Sequence, residues 1–192
     1  MAPDNTSVAA SITLIRRELD ALITSALDGN PAALDAFATA LGDAERVFVH
    51  GAGRSGLALK MTAMRLMHLG LTVHVVGDVT TPAITSGDVL LTASGSGTTG
   101  GVVRAAQSAV DAGASVAAIT TATESPLAKL AAHVLVLPAA DKLDRSGSAS
   151  AQYAGGLFEQ AVVLVGDALF HSLWKQSGAT ADDIWPRHAN LE

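Results

Sequence analysis

The sequence contains no cysteine, and this absence removes several classes of chemistry at once. Disulfide bonds, thiolate nucleophiles and zinc or iron–sulfur centres held by cysteine are all excluded. Aromatic residues make up only 4% of the chain, whereas hydrophobic residues as a whole make up 49%. The core therefore has to be built mainly from Ala, Val, Leu and Ile, in a globular rather than a disordered chain.

Basic residues are also scarce: 12 Lys and Arg stand against 18 Asp and Glu, and the formal net charge is −6. This balance argues against nucleic acid or an anionic membrane as a partner, because both require a basic surface. It is still compatible with a small anionic ligand, since a local pocket can be positive on an acidic protein.

Long hydrophobic segments are missing as well. The longest apolar stretch, residues 161–170, is interrupted by Gly166 and Asp167 and is too short to cross a bilayer. Residues 1–11 have no basic patch followed by an apolar run, so no signal peptide is expected. We therefore expect a soluble, cytoplasmic protein.

Hydrophobic periodicity divides the chain into helices and strands. Helical spacing predicts two N-terminal helices within residues 1–44, with Asn30 as the N-cap of the second. Short β-branched runs then alternate with helical segments, which is typical of a parallel sheet covered on both faces. The predicted strands are residues 47–50, 72–76, 89–93, 115–120 and 134–138, and the predicted helices between them are 55–69, 99–112 and 125–131.

This alternation predicts an α/β fold, a three-layer α/β/α sandwich with a five-stranded, parallel, doubly wound sheet of the flavodoxin-like type. We expect one domain over residues 1–192, with the sheet and its helices over 45–178 and a tail over 179–192. Residues 139–156 are polar and rich in Gly and Ser, and a loop of that length is often functional. The apolar helix after this loop is predicted to face both the domain and a partner subunit.

Two turns rich in glycine and hydroxyl groups directly follow predicted strands. Ligands of doubly wound sheets bind at the carboxyl ends of strands, and backbone N–H groups at a helix start favour an anion. The two turns together therefore predict a phosphate or sugar-phosphate site. The candidate binding residues are Gly53, Arg54 and Ser55 in the first turn, and Ser94, Gly95, Ser96, Gly97, Thr98 and Thr99 in the second.

Other interpretations of these residues stay open at this point. The hydroxyls could simply cap helices, although one cap needs only one of them. A dinucleotide site would use Gly51 and Gly53 with Asp78 after the second strand, but the serine-rich second turn is not part of that pattern. No metal-ligand spacing is present, so we expect neither a metal nor a cofactor. Of the six histidines, only His50 closes a strand beside a candidate turn.

The chain resembles the SIS (sugar isomerase) domain family, and within it the 6-phospho-3-hexuloisomerases. The matching segments are GAGRSG with the following MRLMHLG, then TPAI, GDVLLTASGSGTT, the helix that begins GGLFEQA, and the ending RHANLE. The fold does not demand the segments RLMHLG and RHANLE, which makes the resemblance specific.

The resemblance implies a metal-free, tetrameric isomerase of the ribulose monophosphate pathway that interconverts 3-hexulose 6-phosphate and fructose 6-phosphate. The least demanding chemical route is a 2,3-enediol, which needs one base, a donor to the developing oxyanion and a phosphate anchor. Carried over by motif, Glu159 is the base, and His188 serves the site of a neighbouring subunit. Two departures stand out: Thr98 replaces the usual Glu, and residues 153–156 replace a Pro-Leu-Gly turn.

Three alternatives to this assignment remain. Glu159 could be a helix-capping residue with no role in chemistry. The chain could be another SIS isomerase, acting on an aldose phosphate such as arabinose 5-phosphate or on sedoheptulose 7-phosphate. It could also be a SIS-type module that binds a sugar phosphate without converting it.

Overall fold

A computed structural model of the chain describes residues 7–29, 31–142, 144, 146–147 and 149–191. It contains a five-stranded sheet in which all neighbouring strands are parallel, in the order β2-β1-β3-β4-β5. The strands are β1 (Val47–Gly51), β2 (Val73–Val75), β3 (Val89–Ala93), β4 (Ser115–Thr120) and β5 (His133–Val136). This order is that of flavodoxin-like folds, so the predicted fold class is confirmed.

Seven α-helices occur in the described part of the chain. They are α1 (Val8–Gly29), α2 (Pro31–Gly42), α3 (Gly53–Leu69), α4 (Gly100–Asp111), α5 (Pro126–Leu130), α6 (Gly156–Ser177) and α7 (Ala181–Ile184). The predicted cap Asn30 lies outside the described residues.

The strands bury side chains on both faces because their residues alternate between two cores. Val49 and Leu91 point into the core formed with α1, α2, α3 and α6. Phe48 and Leu90, their immediate neighbours along the strands, point into the core formed with α4 and α5. The sequence runs are therefore apolar throughout, which is why they predicted a covered parallel sheet.

The N-terminal helices and the tail both pack onto this framework. Leu22, Phe37 and Leu41 of α1 and α2 belong to the same core as α3 and α6. No helix was predicted for the tail, but it forms α7 through a capping box between Thr180 and Asp183.

Helix α6 is long and apolar enough to meet the length and composition criterion for a membrane-spanning helix. Half of that segment is buried inside the fold, which is the behaviour of a core helix. It packs tightly against α3 at Gly166, where an added Cβ would overlap the hydroxyl of Thr62. The side chain of Thr62 in α3 therefore packs directly against the backbone of α6 at Gly166.

The order of the strands creates a switch point between β1 and β3, because the chain leaves these neighbours toward opposite faces of the sheet. Gly51 pairs with Ala93 at the carboxyl ends of the two strands. Both candidate turns begin directly after this pair, so the fold brings them to one edge of the sheet.

Candidate active site

The first turn needs glycine for its close backbone packing. An added Cβ on Gly56 would overlap the carbonyl of Gly51, so the strand end and the first turn of α3 touch. Gly53 adopts a positive φ of 57°, which glycine tolerates best. The N-cap, Ala52, supplies no side-chain hydrogen bond to α3. The N–H groups that open this helix are thus left for water or for an anion.

Arg54 stands at the second position of α3. A cation there is electrostatically unfavourable for the helix itself, because the N-terminus already carries partial positive charge. An anionic partner removes this conflict. In the structure that partner is Glu159, whose Oε2 lies 3.0 Å from Nε of Arg54.

The second turn is fixed by hydrogen bonds to the adjacent strand β4. The N–H of Ser94 donates to the carbonyl of Ile119, and the carbonyl of Gly95 accepts from the hydroxyls of Thr120 and Thr121. Gly97 has a φ of 61°, and an added Cβ would overlap the side chain of Ser125. This turn therefore holds its shape through contacts on its outer side.

The hydroxyls of the second turn do not cap α4. Ser94 Oγ and Thr99 Oγ1 lie 3.1 Å apart, and Thr98 Oγ1 donates to Ser96 Oγ at 2.9 Å. Thr99 is the N-cap residue of α4 but makes no side-chain cap bond. The capping interpretation is therefore wrong for this turn, and the hydroxyls bond to one another at the start of an uncapped helix.

Helix α6 brings a carboxylate to the same place. The helix starts at Gly156 after the N-cap Gly155, and the Glu159 side chain pairs with Arg54 and not with its own helix start. The capping interpretation of Glu159 is therefore also wrong. The carboxylate is 21% exposed, so it is sheltered but reachable from solvent. The preceding Phe158 packs its ring against Gly95.

These elements enclose a cavity of about 200 Å³. Eight of the predicted residues line it, namely Gly53, Arg54, Ser55, Ser94, Gly95, Ser96, Thr99 and Glu159. Gly97 and Thr98 do not: the carbonyl of Gly97 accepts from the N–H of Leu127 in α5, and the hydroxyl of Thr98 donates to Ser96. Gly97 and Thr98 were predicted to contact a ligand, and their positions in this chain do not favour that contact.

His188 also lies outside this cavity. Its ring stacks on His68 in the last turn of α3, with 4.0 Å between the ring centroids. Residues 54 and 68 are fourteen helical positions apart, a distance of about 21 Å along the helix. His188 therefore does not reach the cavity of its own chain, because α3 places it at the opposite end of the helix.

The sequence analysis missed several residues that line the cavity. Ala140, Asp141 and Lys142 follow β5, and Gly155 and Phe158 precede the candidate base on α6. The loop over residues 139–156 was expected to be functional, but no residue in it was singled out. The available signal was that Asp141 and Lys142, an acidic and a basic residue, follow a strand whose carboxyl end lies at the same edge of the sheet as the two turns.

The remaining candidates lie elsewhere. His50 is half-buried on the α4 side of β1; burial lowers its pKa, a bond to the backbone of Gly101 opposes this, and the net direction is down. Asp78 closes a turn after β2, where its N–H donates to the carbonyl of Val75. Among the described residues, no three His, Asp or Glu side chains come together as metal ligands.

Comparison with known proteins agrees with this geometry. Residues 40–163 match the SIS domain family. A 3-hexulose-6-phosphate isomerase from Mycobacterium gastri is 52% identical over 185 residues, which cover 96% of this chain and 92% of the relative.

Two solved structures share the fold. One, a Methanococcus jannaschii protein with an inferred 3-hexulose-6-phosphate isomerase function, has a TM-score of 0.81 at 26% identity and covers 95% of this chain and 99% of its own. Another, an E. coli CFT073 protein in complex with a sugar phosphate, has a TM-score of 0.79 at 21% identity, with coverage of 97% and 100%. The dinucleotide interpretation is set aside by these matches. The chain belongs to the SIS domain family, in the group that contains the 3-hexulose-6-phosphate isomerases.

Proposed function

We propose that this chain is an isomerase that interconverts 3-hexulose 6-phosphate and fructose 6-phosphate through a 2,3-enediol. The observation that carries the proposal is the carboxylate of Glu159 at a cavity built from two uncapped helix starts. The relative from Mycobacterium gastri, named for this activity, supports the choice of substrate. On the same basis we propose a cytoplasmic role in the ribulose monophosphate pathway of formaldehyde fixation.

The phosphate is proposed to bind between the two turns. There it would lie beside the starts of α3 and α4, where the opening N–H groups and both helix dipoles favour a dianion. Ser55, Ser94 and Ser96 add hydroxyl donors from the cavity wall. Arg54 and Lys142 supply the positive charge that an acidic protein otherwise lacks.

Glu159 is proposed to move the proton. Its carboxylate removes the proton from C2, and the electron pair forms the C2–C3 double bond while the C3 carbonyl oxygen becomes an oxyanion. The proton of the C2 hydroxyl passes to this oxygen, and the protonated Glu159 then returns its proton to C3. Atoms and charge balance, and one carboxylate serves both carbons because they are adjacent.

The pairing of Arg54 with Glu159 gives this mechanism a means of activation. A phosphate dianion competes for the guanidinium, since bidentate arginine–phosphate contacts are strong. Arg54 is 66% exposed and sits on the first turn of its helix, so it can turn toward the ligand while Glu159 stays in place. Binding of the substrate would then release the carboxylate that has to accept the proton.

A coupled assay tests the proposal directly. A partner synthase makes 3-hexulose 6-phosphate in place from formaldehyde and ribulose 5-phosphate, and formation of fructose 6-phosphate is followed. We expect turnover by the wild-type protein and loss of at least about a thousandfold in kcat for Glu159→Gln, with binding retained. Turnover of arabinose 5-phosphate or sedoheptulose 7-phosphate in place of the hexulose would show a different SIS isomerase, and binding without any turnover would show a sensor.

We also propose that the active species is a homo-oligomer, a tetramer, in which a partner subunit presents His188. In support, α3 leaves Leu57, Met61 and Met64 at 62%, 50% and 51% exposure along one stripe. Such a stripe is unusual on the surface of a monomer.

Co-expression of Glu159→Gln and His188→Ala chains tests this arrangement. If the two residues meet across an interface, mixed oligomers contain some sites with both wild-type residues and regain activity. If both act within one chain, every site carries a lesion and the mixture stays as inactive as its parents.

A further inference from the structure

A carboxylate on the first helix holds the segment that leads into α6. Glu18 of α1 accepts hydrogen bonds from the hydroxyl of Ser150 at 2.7 Å, the N–H of Ala151 at 2.8 Å and the side-chain amide of Gln152 at 3.1 Å. Both carboxylate oxygens are used, and three consecutive residues of the loop are engaged. These contacts span more than 130 positions of sequence, so no local rule predicts them.

The charge of Glu18 is maintained by these donors. Burial is the largest single effect and raises the pKa of the carboxyl, but the bonds from Ala151, Ser150 and Gln152 and the charge of Arg17 together lower it below its usual range. A carboxylate is an acceptor only, so it fixes which way each donor points. The loop is thus tied down by charge-assisted bonds, which are stronger than bonds between neutral groups.

The bonds continue from Glu18 to the residue beside Glu159. Because Gln152 uses its NH₂ group on Glu18, its amide oxygen faces the other way and accepts from the NH₂ group of Gln160 at 2.8 Å. Gln160 directly follows Glu159 in the first turns of α6. The carboxylate of Glu18 therefore orients the side-chain amide of Gln152, which in turn accepts a hydrogen bond from Gln160, the residue next to the proposed base.

The backbone between Gln152 and Gln160 is strained. Ala154 has a φ of 51°, the single positive value found for a residue other than glycine in the described part of the chain. A Cβ makes this conformation unfavourable, and such residues persist only where the surroundings enforce them. Ala154 precedes Gly155, which lines the cavity and is the N-cap of α6. The Glu18 contacts supply the constraint immediately before this strained residue.

We propose that Glu18 is a positioning residue for the isomerisation: by holding residues 150–152 it fixes the turn at Ala154 and thereby aims Glu159 over the cavity. This inference rests on the proposed function. Glu18 does not touch the cavity itself, and the second phosphate-binding turn is held by other contacts, to β4 and to Ser125. Its effect should therefore fall on the proton-transfer step and not on phosphate binding.

The kinetic test compares Glu18→Ala and Glu18→Gln with a control, Asp20→Asn, which neutralises an exposed carboxylate on the same helix. We expect Glu18→Ala to lower kcat by about 10- to 100-fold with KM within about twofold, because small misplacements of a reacting group have large effects on rate. Glu18→Gln keeps one acceptor oxygen and should lose less. A kcat within twofold of wild type for Glu18→Ala, or a parallel rise in KM, overturns the inference.

Hydrogen exchange gives a second readout that needs no substrate. The N–H of Ala151 should exchange at least about tenfold faster in Glu18→Ala and at the wild-type rate in Asp20→Asn. Leu22, on the core-facing side of α1, is buried and should keep the helix docked in every variant. Unchanged exchange at Ala151 overturns the inference. If the wild-type protein does not turn over the hexulose phosphate, the proposed function fails. Faster exchange at Ala151 in Glu18→Ala would even then show that Glu18 holds residues 150–152.

Discussion

The contact between α3 and α6 allows a quantitative prediction, because a single glycine sets the spacing of the two helices that carry Arg54 and Glu159. A Cβ added at Gly166 would overlap the Thr62 hydroxyl and would lie 3.1 Å from its Cβ and 3.3 Å from its Cγ2. Thr62 is only 2% exposed, so neighbouring atoms surround its side chain. Gly166→Ala should therefore force the two helices apart.

Two opposing effects determine the size of the change. Overpacking of a buried contact costs about 1–3 kcal/mol of unfolding free energy. Alanine is preferred over glycine within a helix by about 1 kcal/mol, which offsets part of this loss. The overlap at Gly166 is severe, so the overpacking cost should lie at the upper end of its range, and we expect a net destabilisation of about 1–2 kcal/mol. The same shift should lower kcat/KM, since it moves Glu159 relative to the turn that begins α3.

Urea unfolding at fixed protein concentration measures this prediction. The matched control is Gly101→Ala on α4, where an added Cβ would have no described heavy atom within 4 Å and should be neutral or stabilising. Removing the hydroxyl and methyl groups with Thr62→Ala should restore most of the stability of Gly166→Ala, giving a favourable coupling in the double-mutant cycle. If Gly166→Ala is as stable as wild type, or if the two substitutions are additive, the packing argument is refuted.

Three further outcomes are expected. Gly97→Ala should raise KM for the sugar phosphate by about tenfold or more, because the added Cβ would overlap Ser125 and distort the turn; unchanged kinetics would contradict this. Arg54→Gln should raise KM about 10- to 100-fold through loss of a charge-assisted bond, and Arg54→Lys should recover only part of it; equal loss in both would point to geometry alone. Burial raises the pKa of Asp88, but the bonds from Arg46 and Thr85 lower this pKa overall, so the Asp88 carboxylate stabilises the fold at neutral pH and loses this effect below pH ~4. Asp88→Asn should therefore weaken the fall of the unfolding free energy at acid pH. An unchanged fall would show that Asp88 is not its source.

The sheet and the two turns were predictable because their determinants are local. Val47, Val49 and their neighbours are apolar on both faces, and a covered parallel strand leaves that pattern in the sequence. Gly53 and Gly97 mark positive φ values that other residues adopt with difficulty. Since all carboxyl ends of a parallel sheet lie at one edge, placing both turns at strand ends also placed them near each other.

The other parts of the site depend on contacts between distant segments. Nothing near Glu18 indicates that its carboxylate holds residues 150–152, and nothing near Lys142 indicates that it lines a cavity with Arg54. The direction of the Glu159 side chain was likewise undetermined, because a capping bond and a pair with Arg54 were both compatible with its position in the helix. Three-dimensional proximity decides these cases, and local patterns do not encode it.

The contacts of the tail limit the role that His188 can play. Arg187 donates to the carbonyl of His68 at 3.3 Å, and the ring of Trp185 packs against His188 with 4.6 Å between the ring centroids. Burial, together with the charges of His188 and Arg65, lowers the pKa of His68, so protonation of this member of the histidine stack is disfavoured. The tail is thus docked firmly at the end of α3 that is remote from its own cavity. A residue held there can act on substrate only if the cavity of a second chain lies beside it, and otherwise it serves packing alone. The mixed-oligomer experiment separates these two roles because only the first restores activity.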